Sequence, residues 1–183
     1  GKVWQHASAE ARLSQHAGEW STDMKWHEVC KDKSLQNLPY KIELNEWGNI
    51  VMSPASNRHG NLQTKIAFQL MSQMPDGTVL TECSVDTTKG VKVADVAWVS
   101  DAFLQRNRGA TPYVEAPEVC VEIQSPSNSD TEMAEKRDLY FAKGAREYWL
   151  CDEDGNISFF SPAGKMKKSL LFPDMLTQIE ADA

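Results

Sequence analysis

A chain of 183 residues is long enough for one domain with a substantial core, and 41% hydrophobic against 25% charged residues excludes a disordered or fibrous protein. Nineteen Lys and Arg against 26 Asp and Glu leave a formal charge of -7, which excludes attraction of nucleic acid by the overall field. A polyanion would need a local basic patch, a bound metal ion or both. No run of about 18 apolar residues exists, which excludes a membrane-spanning helix.

Cys30, Cys83, Cys120 and Cys151 are far apart with no CxxC, so they form neither a zinc site nor a disulfide framework. Buried free thiols and a cytoplasmic setting are expected. Opening on Gly1 rather than Met is expected of a processed terminus or an expression scar, with no secretory leader visible. Without repeats or a long linker, residues 1–183 are expected to form a single domain, with residues 1–38 as a helical segment packed on it.

In chain order, helical patterns run from Ser8 to His16 and from Ser21-Thr22-Asp23 to about Lys33. Tyr40–Leu44 and Ile50–Met52 read as a hairpin through Trp47-Gly48-Asn49, and Pro54–Arg58 as a loop. From His59 to Met74, Leu62, Ile66, Leu70 and Met74 mark one helix face. Thr78–Val85 and Val91–Val99 form a second hairpin, and Asp101–Tyr113 a loop with one helical turn. Glu118–Gln124 is a strand, and Asp130–Lys143 a helix capped by Ser129 or Asp130 and ended by Gly144. Glu147–Cys151 and Ile157–Phe160 are strands, with a last one over Lys168–Phe172. This order predicts a mixed α/β (α+β) domain, a central mixed β-sheet flanked by helices.

Polar residues inside apolar strands are the informative anomalies. Asp95 shares a strand face with Val91, Val93, Ala97 and Val99, and burial there costs several kcal/mol unless a cation or donors meet it. An arginine partner or a capping role is the structural alternative. Cys120, Glu122 and Gln124 share the other anomalous face, with positions two apart separated by ~6.6 Å. Glu122 and Gln124 can thus reach one pocket, although the amide could simply satisfy the carboxylate. Two carboxylates from neighbouring strands suit magnesium, which takes one or two carboxylates plus waters and phosphate oxygens. In the helix from Asp130, Lys136 and Tyr140 lie one turn apart; Lys136 either snorkels or reaches the carboxylates. Arg137 lies on the opposite flank.

Val93-Ala94-Asp95-Val96-Ala97-Trp98-Val99, Ala116-Pro117-Glu118 through Ser125-Pro126-Ser127, Lys136-Arg137-Asp138-Leu139-Tyr140 and Gly144 through Leu150 together carry a family pattern. With Ser53-Pro54, His59-Gly60 and the Tyr40–Met52 hairpin, the chain resembles the Uma-type restriction-endonuclease-like proteins, a branch of the PD-(D/E)xK nucleases, over roughly Met24 to Phe160. The resemblance implies a restriction-endonuclease-like core and an Mg2+-dependent phosphodiesterase centre (Mn2+ is the alternative ion). Asp95 then takes the first acidic position and Glu122 the second. The superfamily's lysine position falls on Gln124, which carries no charge to stabilise a developing anion. Lys136 is the candidate replacement, with Tyr140 beside it packing or donating to a phosphate. Glu43 is the nearest match to an extra early acid, though Leu44 competes for the register, and His59 could approach a phosphate.

Three readings follow. In the first, an endonuclease uses Asp95, Glu122, Gln124 and Lys136 on nucleic acid, with DNA the expected partner. Its local cations are Lys89, Lys92, Arg106, Arg108, Lys165, Lys167 and Lys168. In the second, the fold is a catalytically inactive binding or assembly module, its carboxylate pair plugged by an arginine. A serine hydrolase, the third, lacks a GxSxG elbow. Trp98 and Trp149 are expected in the core. Trp4, Trp20 and Trp26 would cover a sheet face or support a homodimer.

Overall fold

The computed structural model describes residues 22–182. The helix expected over Ser8–His16 lies outside them, as do Trp4 and Trp20.

Helix α1 (Thr22–Lys31) is followed by a 3-10 turn (Lys33–Leu35) capped by Asp32. Strands β1 (Tyr40–Leu44) and β2 (Ile50–Pro54) form a separate antiparallel hairpin. Helix α2 (Asn57–Gln73) starts two residues earlier than its apolar periodicity indicates. The cause is Ser56, whose hydroxyl accepts from the His59 amide and places His59 in the first turn. Its Leu62, Ile66 and Leu70 are buried as the four-residue spacing requires, and Met74 caps the end.

Strands β3 (Thr78–Thr87) and β4 (Gly90–Val99) are antiparallel and joined by a two-residue turn. Gly90, at φ +87°, sits where a Cβ would meet the carbonyls of Leu44 and Asn45, so only glycine permits this approach of the first hairpin. Helix α3 (Asp101–Asn107) is longer than the single turn expected of this stretch. The Ser100 hydroxyl accepts from the Phe103 amide, and buried Phe103 packs edge-on against Tyr113 at 4.9 Å. Strand β5 (Val119–Ile123), helix α4 (Asp130–Ala142) and strand β6 (Glu147–Cys151) make a parallel crossover. Ser129 caps α4, and Gly144 at φ +98° follows its end. Strands β7 (Ile157–Ser161) and β8 (Gly164–Met166) complete a six-stranded mixed sheet in sequential order from β3 to β8.

The strand expected over Lys168–Phe172 does not form. Leu171 instead donates its amide to the Glu147 carboxylate, the Ser169 hydroxyl accepts from Phe172, and an irregular strap buries Phe172, Met175 and Ile179. Those side chains join α2, Trp98 and Trp149 in the core on one sheet face. The other face holds Cys83, Cys120, Tyr140 and Tyr148 beneath α4. A third cluster joins Trp26 and Val29 of α1 to Leu44, Val91 and Val93, so Trp26 is a core residue. All four cysteines are free; Cys30 is exposed and the other three are buried. Burial pushes Cys83 and Cys151 up to about 12. No helix among the described residues is long and apolar enough to cross a membrane.

Candidate active site

Asp95 lies at a break in the ladder between β3 and β4. Thr81 pairs with Val96 and Cys83 with Ala94, while Glu82 between them takes φ +52°, in the left-handed region. Gln63 of α2 spans the gap, donating its amide to the Asp95 carbonyl and the Glu82 carboxylate, each at 2.8 Å. The register is the same on both sides of the gap, so alternation along β4 keeps Asp95 on the face of Ala97. The Ile123 amide of β5 fixes one Asp95 oxygen, Oδ2, at 2.7 Å.

Glu122 is held in a parallel way. Buried Tyr140 of α4 donates its hydroxyl to Glu122 Oε1 at 2.8 Å, and Lys136 Nζ stands 3.4 Å from the same oxygen. The other oxygen of each carboxylate, Asp95 Oδ1 and Glu122 Oε2, converges on one ammonium. Lys41 Nζ lies 3.0 Å from the first and 2.9 Å from the second. His59 Nε2 is 3.3 Å from Asp95 Oδ1. Buried Glu43 of β1 accepts from the Val93 amide at 2.7 Å and from Lys136 at 2.9 Å. Lys41, Ser53, Ala55, His59, Asn128 and Lys136 are among the residues that line the cleft above the pair.

Burial opposes charge throughout this cluster, and the neighbours decide the outcome. At Lys41 burial is outweighed by Asp95, Glu122 and Glu43, which hold its ammonium well above the ordinary lysine range. Burial likewise works against ionised Asp95, but Lys41, His59 and the Ile123 amide hold it well below the usual carboxylate range. Glu43 is lowered by Lys136 and Lys41 against its burial. Glu122 goes the other way: burial, with Asp95 and Glu43 nearby, raises it despite the two lysines. His59 is raised, first by its hydrogen bond to Asp95.

The site therefore gathers Asp95, Glu122, Lys136, Tyr140, Glu43 and His59. Tyr140 meets the Glu122 carboxylate rather than open space where a phosphate could lie. Gln124 is not brought in. It follows the end of β5, and its amide donates to Asp130 Oδ1 at 2.8 Å and to the Asn128 carbonyl at 3.3 Å. The N-terminal turn of α4 takes up the side chain that alternation alone sends toward Glu122. Lys41 and Gln63 are the additions. Lys41 stands two residues before Glu43 on the same face of β1, but a lysine in a hairpin strand carries no signal until its neighbours are known. Gln63 gave no sequence signal, because it lies among ordinary polar positions of α2. Of the surface cations, Lys89 is paired with Glu135 and Arg106 with Glu115, at 2.5 and 3.0 Å. The Lys92 ammonium lies 3.5 Å from the Leu44 carbonyl.

Among the described residues, no group of three or more His, Cys, Asp and Glu side chains forms a metal cage. The carboxylate pair nevertheless fits a hard divalent ion. Two oxygens from adjacent strands point at one cation position, and Mg2+ needs no more protein ligands than that.

No curated protein matches the chain. A crystal structure of a putative nuclease belonging to DUF820, from Anabaena variabilis, superposes with a TM-score of 0.58 at 21% identity. The match covers 66% of this chain and 72% of that one, and it shows a shared fold. The model of the Uma2 family, described as "Putative restriction endonuclease", matches residues 25–178, and the chain belongs to that family.

Proposed function

We propose that this protein is a divalent-metal-dependent endonuclease that hydrolyses phosphodiester bonds of nucleic acid, with DNA the first substrate to test. The observation that carries the reading is the convergence of Asp95 Oδ1 and Glu122 Oε2 on one cation position within a nuclease family. These two residues would hold the ion, Mg2+ or Mn2+, which when bound lowers the pKa of a water ligand and neutralises charge on a phosphoryl group. The chain's own part is orientation. The Ile123 amide and the Tyr140 hydroxyl each tether one oxygen of a carboxylate, leaving its partner oxygen facing the cleft. Lys136 lines the cleft with its ammonium between Glu43 and Glu122, where it can take a non-bridging phosphate oxygen. Gln124 has no part in this arrangement.

The test is cleavage of supercoiled DNA, linear DNA and RNA with Mg2+, with Mn2+ and with chelator. Metal-dependent cleavage should fall about 100-fold or more in Asp95→Asn and in Glu122→Gln, with circular dichroism unchanged. Undiminished cleavage in both variants would refute the assignment. So would inactivity of the wild type on every substrate. One observation favours a second reading, an inactive binding module: the cation position is filled by a lysine of the chain itself. Binding of nucleic acid that needs neither metal nor carboxylates, without cleavage, would establish it.

A further inference from the structure

We propose that Lys41 is a two-position residue: its ammonium occupies the cation position until a divalent ion displaces it, and once displaced it contacts the substrate phosphate. This rests on the metal-dependent reading of the same site. The two oxygens that Lys41 touches are the two that no backbone amide or tyrosine hydroxyl tethers. A divalent ion drawn to the same oxygens would stand within a few ångströms of a like charge, so the two cations exclude each other. The cluster sets three carboxylates, Asp95, Glu122 and Glu43, against the ammoniums of Lys41 and Lys136. Without an ion, Lys41 supplies the charge that keeps a buried carboxylate pair tolerable.

Displacement needs no unfolding. Lys41 stands on β1 of the separate hairpin, which is anchored through Leu44 and Ile42 in the apolar cluster beneath α1. Its flexible four-carbon stem ends in the cleft beside Ser53, Ala55 and His59. An ammonium released there stays on the cleft wall and meets an entering phosphate. It supplies the charge that Gln124, turned toward Asp130, cannot bring.

The two positions predict effects of opposite sign from one substitution. Calorimetry with Mn2+ on the full chain should give Lys41→Met an affinity about tenfold or more above wild type. Lys41→Arg, which keeps the charge, should bind no tighter than wild type, and Asp95→Asn should abolish binding. With a short DNA duplex in Ca2+, Lys41→Met should bind DNA several-fold more weakly. In wild type labelled with 15N-lysine, the Lys41 ammonium resonance should move on adding Mg2+. That arm needs no variant and stands if Lys41→Met does not fold. An unmoved resonance, or Lys41→Met with Mn2+ affinity no higher or DNA affinity no lower than wild type, overturns the proposal. If wild type still binds Mn2+ through Asp95, the carboxylate reading survives that failure. If neither wild type nor Lys41→Met binds Mn2+, both fall together.

Discussion

Glu122 and Glu147 are buried carboxylates on neighbouring parallel strands, near opposite ends and on opposite faces of the sheet, and their partners differ in kind. Glu147 accepts from the Trp149 indole at 3.0 Å and from the Leu171 amide at 2.8 Å. Both donors are neutral, and the second ties the C-terminal strap to the sheet. Glu122 accepts from Tyr140 and lies against two lysine ammoniums brought by β1 and α4. An oxygen held by a rigid indole or backbone N–H keeps that donor in place. Asp95 Oδ1 and Glu122 Oε2 are met instead by side chains that can move away, Lys41 at both and His59 at the first. Burial of a carboxylate alone does not separate structure from function; the chemistry of its donors does.

The same substitution at the two sites tests this distinction most strongly. Glu147→Gln replaces one acceptor by an NH2 group that faces an indole N–H or an amide N–H, leaving a buried donor opposed to a donor. Urea unfolding should show a loss of about 2–3 kcal/mol. Glu122→Gln can turn its carbonyl to Lys41 and its NH2 to the Tyr140 hydroxyl, which accepts as well as donates, while Lys136 keeps Glu43. Its loss should be smaller, about 1 kcal/mol. Stability losses in the reverse order would break the comparison.

The ion-paired end was the more legible in the sequence. Asp95 and Glu122 stand out because a charged residue breaks an apolar strand, and Lys136 and Tyr140 because helical spacing puts them one turn apart. Elements with strong caps or tight turns were legible too, such as the second hairpin and α4. Lys41 was hidden because a lysine in a half-exposed hairpin is ordinary until its neighbours are known. The role of Glu147 depends on an amide 24 residues away, in a strap whose alternation imitates a strand. Long-range donors of that kind leave no local pattern.

Glu43 gives a smaller, pH-resolved test of the same end. Its folded pKa is lowered, so the ionised carboxylate contributes stability above its unfolded pKa, and that contribution is lost as pH falls through the folded value. Glu43→Gln should therefore cost about 1–2 kcal/mol at neutral pH and progressively less on acidification. Denaturant midpoints of the two proteins should approach each other below about pH 4. A constant gap down to pH 3 would mean that the side chain acts through packing and its bond to Val93, not through its charge.

The smallest effect is expected where the family pattern invites the largest. Gln124→Lys places a lysine two residues beyond Glu122, the position where the resemblance drawn from the sequence expects one. In this fold the residue follows the end of β5, and its side chain turns toward the start of α4, where Asp130 accepts from it. A lysine there gains a carboxylate partner in Asp130 that competes with any path into the cleft. Metal-dependent cleavage should therefore change by less than about threefold, within what one solvated charge contributes. A gain of tenfold or more would show that the new ammonium leaves Asp130 for the cleft, and that Lys136 and Lys41 do not already supply its charge. The double variant Gln124→Lys with Asp130→Ala separates the two cases, because it removes the competing carboxylate. Activity that rises only in the double variant would show that the contact with Asp130, rather than the residue type at position 124 alone, keeps this position out of the cleft.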